Sequence, residues 1–157
     1  MDKRQKIFFD VQELYYLPQY LPVYKELQKE NVPWMKSFMT INDQLDYKFV
    51  FCLEGKCIST NLYWAMSSNS VCVMPKPKYE SWFMEGKLID GVHYIKVKDD
   101  FSDAKEKIEF YMNENDKCIE IINNAQKFVR QFKDLKQERL IQLLILKQYF
   151  KSTGQYE

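Results

Sequence analysis

Two polar stretches of the chain carry side chains that could bind a ligand. "EGKCIS", residues 54–59, directly follows one apolar run, and "PKPKYESWFMEG", residues 75–86, directly follows another. Lysine, serine and glutamate in these stretches offer donors and acceptors for phosphate and hydroxyl groups. If the two apolar runs are parallel strands, both stretches lie at the carboxyl edge of one sheet. Ligands of α/β proteins bind at that edge.

The cysteines and the single histidine support neither a metal site nor a nucleophile pair. Cys52, Cys57, Cys72 and Cys118 form no Cys-x-x-Cys pair, and His93 is the only histidine. We expect buried, reduced thiols, because free cysteine is among the most buried residue types. The four glycines form no Gly-x-Gly-x-x-Gly pattern, the dinucleotide fingerprint. We therefore expect no metal, no disulfide and no cofactor.

Length and charge indicate one globular domain. A domain of 157 residues buries roughly 70% of the surface that its unfolded chain exposes, which is enough for one core. The net charge of +1 predicts no field for nucleic-acid binding. The longest apolar run is far below the roughly 20 residues of a membrane span, and no signal-peptide stretch follows Met1. The sequence therefore predicts a cytoplasmic protein.

Apolar runs predict four strands. They are Lys6–Val11, Tyr47–Glu54, "SVCVM" at residues 70–74 and "HYIKV" at residues 93–97. The last three are mostly apolar runs rather than regular apolar–polar alternations, which is typical of parallel strands covered on both faces, so we expect them to be parallel neighbours. A helix over Leu21–Lys29 follows the first strand.

Capping residues and apolar spacing predict the other helices. Thr40 is expected to cap a single helical turn, Ser59 or Thr60 a helix with Leu62 and Met66 on its core face, and Ser102 a third helix. Two further stripes of helical spacing follow, one through Ile119, Ile122, Ala125, Val129 and Phe132, and one through Leu140, Leu143, Leu144 and Tyr149 or Phe150. Strands that alternate with helices predict an α/β, Rossmann-like three-layer domain with a parallel sheet and C-terminal helices.

Three stretches in order, "TNLYWAMSSNS", "MPKPKYESWFMEG" and "KDDFSD", give the chain a recognisable pattern. Over roughly residues 34–132 it resembles the donor half of glycosyltransferase family 90. This family contains lipopolysaccharide-modifying and capsule-associated sugar transferases and is similar to the protein O-glucosyltransferases. The resemblance implies a glycosyltransferase-B fold, in which the carboxy-terminal half holds a nucleotide sugar without a metal.

The same resemblance divides the chain at residue 33. Residues 34–157 would form the nucleotide-sugar-binding Rossmann-like domain, and residues 1–33 resemble the β–α unit that starts the amino-terminal half of a glycosyltransferase-B fold. The implied partners are a nucleoside-diphosphate sugar and a saccharide or lipid-linked acceptor. Family enzymes are about twice as long, and their catalytic base has no counterpart here, so we assign no catalytic residue.

The resemblance also implies a set of donor-binding residues. They are Gly55, Lys56, Ser59, Thr60, Asn61, Lys76, Glu80, Trp82, Glu85 and Asp100. Backbone N–H groups at a helix start after Gly55 would hold the diphosphate, with Lys76 as a nearby cation and the glutamates accepting ribose hydroxyls. Structural alternatives stay open. Ser59, Thr60 and Asn61 could cap the helix without contacting a ligand. Trp82 could be a core residue, and Asp100 could cap the following helix. We interpret Lys78 as a solvated surface lysine.

Two functions follow from these observations. The first is a sugar transferase of lipopolysaccharide or capsule synthesis, cytoplasmic and peripheral at the inner face of the membrane. The second is a non-catalytic nucleotide-sugar-binding remnant, or a subunit of a split transferase. With most of an acceptor half missing, the cleft face should be uncovered, which predicts self-association or an acceptor-domain partner.

Overall fold

The computed structural model describes residues 7–8 and 39–155, and the fold is given for these. A parallel sheet of four strands forms its centre, in the order β1-β2-β3-β4. The strands are β1 (Ile7–Phe8), β2 (Phe49–Phe51), β3 (Val71–Met74) and β4 (Ile95–Lys96). The predicted helix Leu21–Lys29 lies outside the described residues, as does most of Lys6–Val11.

Strands β2, β3 and β4 are parallel neighbours, which confirms that prediction. Val50 pairs with Cys72, and Val73 pairs with Ile95. All residues of β2 and β3 are buried, as expected for strands covered on both faces. The strands are shorter than predicted, although Cys52 and Val97, just beyond β2 and β4, still donate backbone hydrogen bonds to β3.

The described helices are α1 (Ile41–Gln44), α2 (Leu62–Met66), α3 (Ala104–Asn113), α4 (Asn115–Arg130) and α5 (Leu135–Ser152). The predicted cap of α1 is confirmed. The Oγ1 of Thr40 accepts a hydrogen bond from the Asp43 N–H at 3.2 Å, and the Asp43 carboxylate accepts one from the Thr40 N–H at 2.9 Å. This reciprocal pair is a capping box.

The predicted caps of α2 and α3 are wrong. Helix α2 starts only at Leu62, and its N-cap residue Asn61 makes no side-chain cap bond. Instead of capping, the Ser59 hydroxyl donates to the Asn61 side chain at 2.6 Å. Helix α3 has Asp103, not Ser102, at its N-cap, and the Asp103 carboxylate makes no cap bond but accepts the Lys98 N–H at 2.8 Å.

Two apolar clusters cover the sheet, one built on alternate strand residues such as Val50 and Cys72, the other on Phe49 and Val71. Helix α2 packs in the first cluster and α3 in the second. Helix α4 joins both, since its first half contributes Cys118 and Ile121 to the second cluster and its second half contributes Ala125 and Val129 to the first. The described part of the chain is therefore a parallel sheet with helices, in agreement with the predicted α/β class.

Both predicted C-terminal stripes need correction. In α4, Ala125 and Val129 are buried as predicted, but Ile119 is 55% exposed and the neighbouring Cys118 and Ile121 are buried instead. The helix is therefore rotated from the predicted position. In α5 no residue is buried, so Leu140, Leu143 and Leu144 do not form a core face with the described residues.

A candidate ligand site at the carboxyl edge of the sheet

A cavity of about 280 Å³ lies where β2, β3 and β4 end. The segments that follow all three strands contribute to its wall. The lining residues are Cys52, Leu53, Glu54, Gly55, Ser59, Leu62, Met74, Pro75, Pro77, Lys78, Tyr79, Glu85, Asp99 and Phe101. The cavity therefore has the position expected for a ligand site in a parallel sheet.

Glu54 joins the segments that follow β2 and β3. Its carboxylate accepts the Lys78 backbone N–H at 3.0 Å and the Tyr79 N–H at 3.2 Å. Because a carboxylate binds N–H groups more strongly than a neutral acceptor does, this contact holds the backbone of the β3 segment against the cavity. Pro75 and Pro77 restrict the same segment further by fixing their own φ angles.

Lys78 and Asp99 join the segments that follow β3 and β4. The Lys78 Nζ lies 3.0 Å from the Asp99 Oδ2. The Asp99 carboxylate, first by its hydrogen bond and then by its charge, raises the pKa of the Lys78 ammonium. Both side chains are well exposed, at 64% and 63%. The ion pair is therefore part of the cavity wall and remains in contact with water.

Glu85 is a buried carboxylate in the cavity wall, with 3% of its surface exposed. Its two oxygens accept hydrogen bonds from the Ser81 N–H and the Ser81 hydroxyl, each at 2.7 Å. The preceding residue, Met84, has φ of +57°, in the left-handed region that favours glycine, so this turn carries backbone strain. The Ser81 contacts compensate for the burial of the charge.

Asn61 connects α2 to the end of β2. Its Nδ2 donates to the Phe51 carbonyl at 2.9 Å, and its Oδ1 accepts from the Ser59 hydroxyl. The residue does not line the cavity. With only five residues, α2 has a small dipole, so its start offers little stabilisation to a diphosphate. Positive charge at this edge must come from side chains.

Asp100 shapes the turn beside the cavity rather than capping α3. Its carboxylate accepts the Ser102 N–H at 3.0 Å, and this bond is the first cause of the lowered pKa of Asp100. The next residue, Phe101, has φ of +58° and lines the cavity. Its ring lies 6.3 Å from that of Phe51, edge to face. The turn thus directs an aromatic side chain toward the cavity.

Of the predicted donor-binding residues, Gly55, Ser59 and Glu85 line the cavity. The others are absent from its wall: Lys56, Thr60, Asn61, Lys76, Glu80, Trp82 and Asp100. Trp82 is 61% exposed and so is not a core residue; its ring lies 5.5 Å from Tyr63 and 5.4 Å from Phe132. The exposed Glu80 lies beside Gly86, where an added Cβ would be 3.1 Å from its Oε2. For all ten predicted donor-binding residues, contact with a ligand stays a prediction.

Sequence reasoning did not select four wall residues with useful chemistry: Glu54, Lys78, Tyr79 and Asp99. A usable signal existed for Glu54 and Asp99, because each lies within a few residues of a predicted strand end. The sequence predicts Lys78 as a surface lysine, and its side chain is largely exposed, but it also lies on the cavity wall. Neither contact of Lys78 could be predicted from the sequence, because Glu54 and Asp99 are both far from Lys78 along the chain.

The wall carries an uneven charge. Among the described residues that line the cavity, Glu54, Glu85 and Asp99 are acidic and Lys78 is the one basic residue. The carboxylates of Glu54 and Glu85 already accept backbone N–H groups, and Asp99 is paired with Lys78. The arrangement can hold hydroxyl groups at its carboxylates and one anionic group at Lys78.

The cysteines are partly as predicted. Cys52, Cys72 and Cys118 are buried, but Cys57 is exposed, so the expectation of four buried thiols is wrong there. The adjacent Cys72 thiol and burial raise the pKa of Cys52 well above its usual value. The described residues contain no cluster of His, Cys, Asp or Glu that could hold a metal ion. No described helix is both long enough and apolar enough to cross a membrane.

Comparison with known proteins defines the class to which this fold and cavity belong. The model of glycosyl transferase family 90 matches residues 11–153, nearly the whole chain. The chain belongs to glycosyl transferase family 90, which confirms the resemblance read from the sequence.

Two curated proteins are similar in sequence to this chain. O-glucosyltransferase LpsA of Dichelobacter nodosus is 44% identical over 118 residues, which are 75% of this chain and 37% of the relative. Uncharacterized protein 179R of Invertebrate iridescent virus 6 is 30% identical over 101 residues, 60% of this chain and 8% of the relative. The chain thus spans well under half the length of either relative.

Proposed function

We propose that the chain is the donor-binding part of a family 90 glycosyltransferase and that the cavity holds a nucleoside-diphosphate sugar. The observation that carries the proposal is the position of the cavity, at the carboxyl ends of three parallel strands in a family 90 chain. Nucleotides bind at this edge in open parallel sheets. Because LpsA is named as an O-glucosyltransferase, glucose is the first donor sugar to test.

The proposal extends to the architecture. Residues 34–157 would be the Rossmann-like carboxy-terminal half of a glycosyltransferase-B fold, and residues 1–33 the start of an amino-terminal half. The parallel sheet and its helices support the first assignment. The acceptor would be a saccharide or lipid-linked saccharide of lipopolysaccharide or capsule synthesis, presented at the cytoplasmic face of the membrane.

The cavity residues suggest how a donor would be held. Ribose or sugar hydroxyls would donate to the Glu54 and Glu85 carboxylates, because a carboxylate that accepts two or three N–H or O–H groups can still accept another. Tyr79 and Phe101 are exposed enough for a base or sugar ring to pack on them. Lys78 would contact the diphosphate, which needs a cation in the absence of a metal.

Binding and transfer need different parts of such an enzyme. Transfer requires a base for the acceptor hydroxyl and a surface that orients the acceptor, and orientation alone accounts for roughly 7–11 kcal/mol of barrier lowering. No residue of the described cavity is assigned as that base. We therefore propose donor binding for this chain by itself, and transfer only together with an acceptor-binding part. A non-catalytic binding subunit is the alternative.

Ligand-observed NMR tests the binding step. We expect saturation transfer from the 157-residue protein to at least one of UDP-glucose, GDP-glucose and CDP-glucose, and weaker transfer to glucose 1-phosphate, which lacks the nucleoside. We also expect negligible release of nucleoside diphosphate in a transfer assay with saccharide acceptors. If none of the three nucleotide sugars binds, the proposed function is wrong. Rapid transfer by the chain alone would show that the division of labour is wrong.

A further inference from the structure

Lys78 is the residue at which the three carboxyl-edge segments meet. Its backbone N–H donates to Glu54, which follows β2, and its side-chain ammonium pairs with Asp99, which follows β4. Lys78 itself follows β3. The backbone and the side chain of one residue are thus restrained by two different neighbours, so one restraint can be released while the other is kept.

The two restraints differ in strength. The half-buried Glu54 carboxylate accepts both the Lys78 and the Tyr79 N–H groups, and breaking these contacts would leave backbone donors without partners. The Lys78–Asp99 pair is about two-thirds exposed on both sides, and ion pairs of this kind contribute little. Lysine also has a flexible stem with freely rotating donors. The ion pair is therefore the restraint that can exchange.

The charges of the wall give a reason for exchange. A ligand with phosphate groups that enters the cavity approaches three carboxylates and one cation among the described lining residues. As long as Lys78 stays on Asp99, its charge is largely neutralised by that partner. Turning the ammonium toward the ligand replaces a weak contact with one to a more highly charged group.

We infer that the Lys78–Asp99 ion pair is an exchangeable clasp, in which a phosphate group of the ligand displaces Asp99 from the Lys78 ammonium while Glu54 keeps the Lys78 backbone in place. The inference rests on the proposed function. It adds that Asp99 competes with the phosphate of the ligand for the Lys78 ammonium. Asp99 therefore lowers the affinity of the site for diphosphates.

A double-mutant cycle tests the clasp. The dissociation constant is measured by calorimetry for whichever of UDP, GDP or CDP binds the wild-type chain most tightly. We expect Asp99→Asn to tighten binding about threefold, because Lys78 no longer has a competing carboxylate, which corresponds to a weak exposed ion pair. Lys78→Gln should weaken binding about tenfold. In the Lys78→Gln background, Asp99→Asn should have almost no further effect.

A matched control separates the clasp from a general charge effect. Glu109→Gln makes the same change in net charge and breaks another exposed ion pair, Lys105–Glu109 at 3.9 Å, outside the cavity lining. It should leave binding unchanged. If Asp99→Asn weakens binding or leaves it unchanged, or tightens it equally without Lys78, the clasp is wrong and the proposed function stands. If the wild type binds none of the three nucleotides, both are overturned.

Discussion

The central strands of the sheet and helix α5 are both rich in apolar residues, but only the strands bury them. The residues of β2 and β3 are buried, and the carboxylates of Glu54 and Glu85 in the cavity wall accept hydrogen bonds from backbone N–H groups. Helix α5 has apolar residues on all its sides and none of them is buried. Its exposed large apolar residues are Leu135, Leu140, Ile141, Leu143, Leu144, Ile145, Leu146, Tyr149 and Phe150.

This difference shows that an apolar segment becomes core only when another element covers it. Helix α5 is capped at its N-terminus, since the Asp134 carboxylate accepts the N–H groups of Lys136 and Gln137. Local signals therefore suffice for the helix. A helix that is apolar all round is normally buried, and the described residues leave this one uncovered. The self-association expected from the sequence stays a prediction for this surface.

The largest effect should come from the sheet. Phe49→Ala removes a fully buried ring from β2 and leaves a cavity between the sheet and its helices. We expect a loss of about 3–5 kcal/mol in the free energy of unfolding, measured by urea denaturation followed by circular dichroism. A loss below about 1 kcal/mol would mean that β2 is not the centre of the core.

An intermediate effect should come from the cavity wall. Glu85→Ala leaves the Ser81 N–H and hydroxyl without their acceptor, which should cost about 1–3 kcal/mol of unfolding free energy. The matched control is Glu80→Ala in the same segment, where the side chain is exposed and the change should stay within about 0.5 kcal/mol. Equal effects of the two substitutions would contradict the buried role of Glu85.

The smallest effect should come from α5. Leu144→Ala removes an exposed side chain, so we expect a change within about 0.5 kcal/mol in the same urea experiment at low protein concentration. Sedimentation velocity over a range of concentrations then tests whether the helix mediates self-association, which this substitution would weaken. A loss of 2 kcal/mol or more, about the cost of a buried leucine, would show that α5 is covered in solution and would remove the contrast with the sheet.

The strands were the most predictable part of the fold. Runs such as "FVF" and "VCVM" are apolar on successive residues, and only burial on both faces makes that favourable. The cap at Thr40 was predictable for a similar reason, because Thr40 and Asp43 lie within one turn of each other. The predicted caps at Ser59 and Ser102 are wrong, because the Ser59 hydroxyl donates to the Asn61 side chain and the Ser102 N–H donates to the Asp100 carboxylate, contacts that form a turn before the helix begins.

The candidate site was only half predictable. Its location follows from strand order, and three of the predicted donor-binding residues, Gly55, Ser59 and Glu85, line the cavity, while their contact with a donor stays a prediction. The contacts that hold the wall together were not predictable, because Glu54 and Lys78 are 24 residues apart and no pattern in the chain links them.

The sequence by itself determined the family, the α/β class and the parallel order of the central strands, since these depend on motifs and on apolar runs that are local in the chain. Only the tertiary structure decided which side of α4 faces the core, that α5 is uncovered, and that Lys78 meets Glu54 and Asp99 at the cavity. The physical reason is that burial and ion pairing depend on distances between residues far apart along the chain. Those distances exist only once the sheet has brought the ends of its strands to one edge.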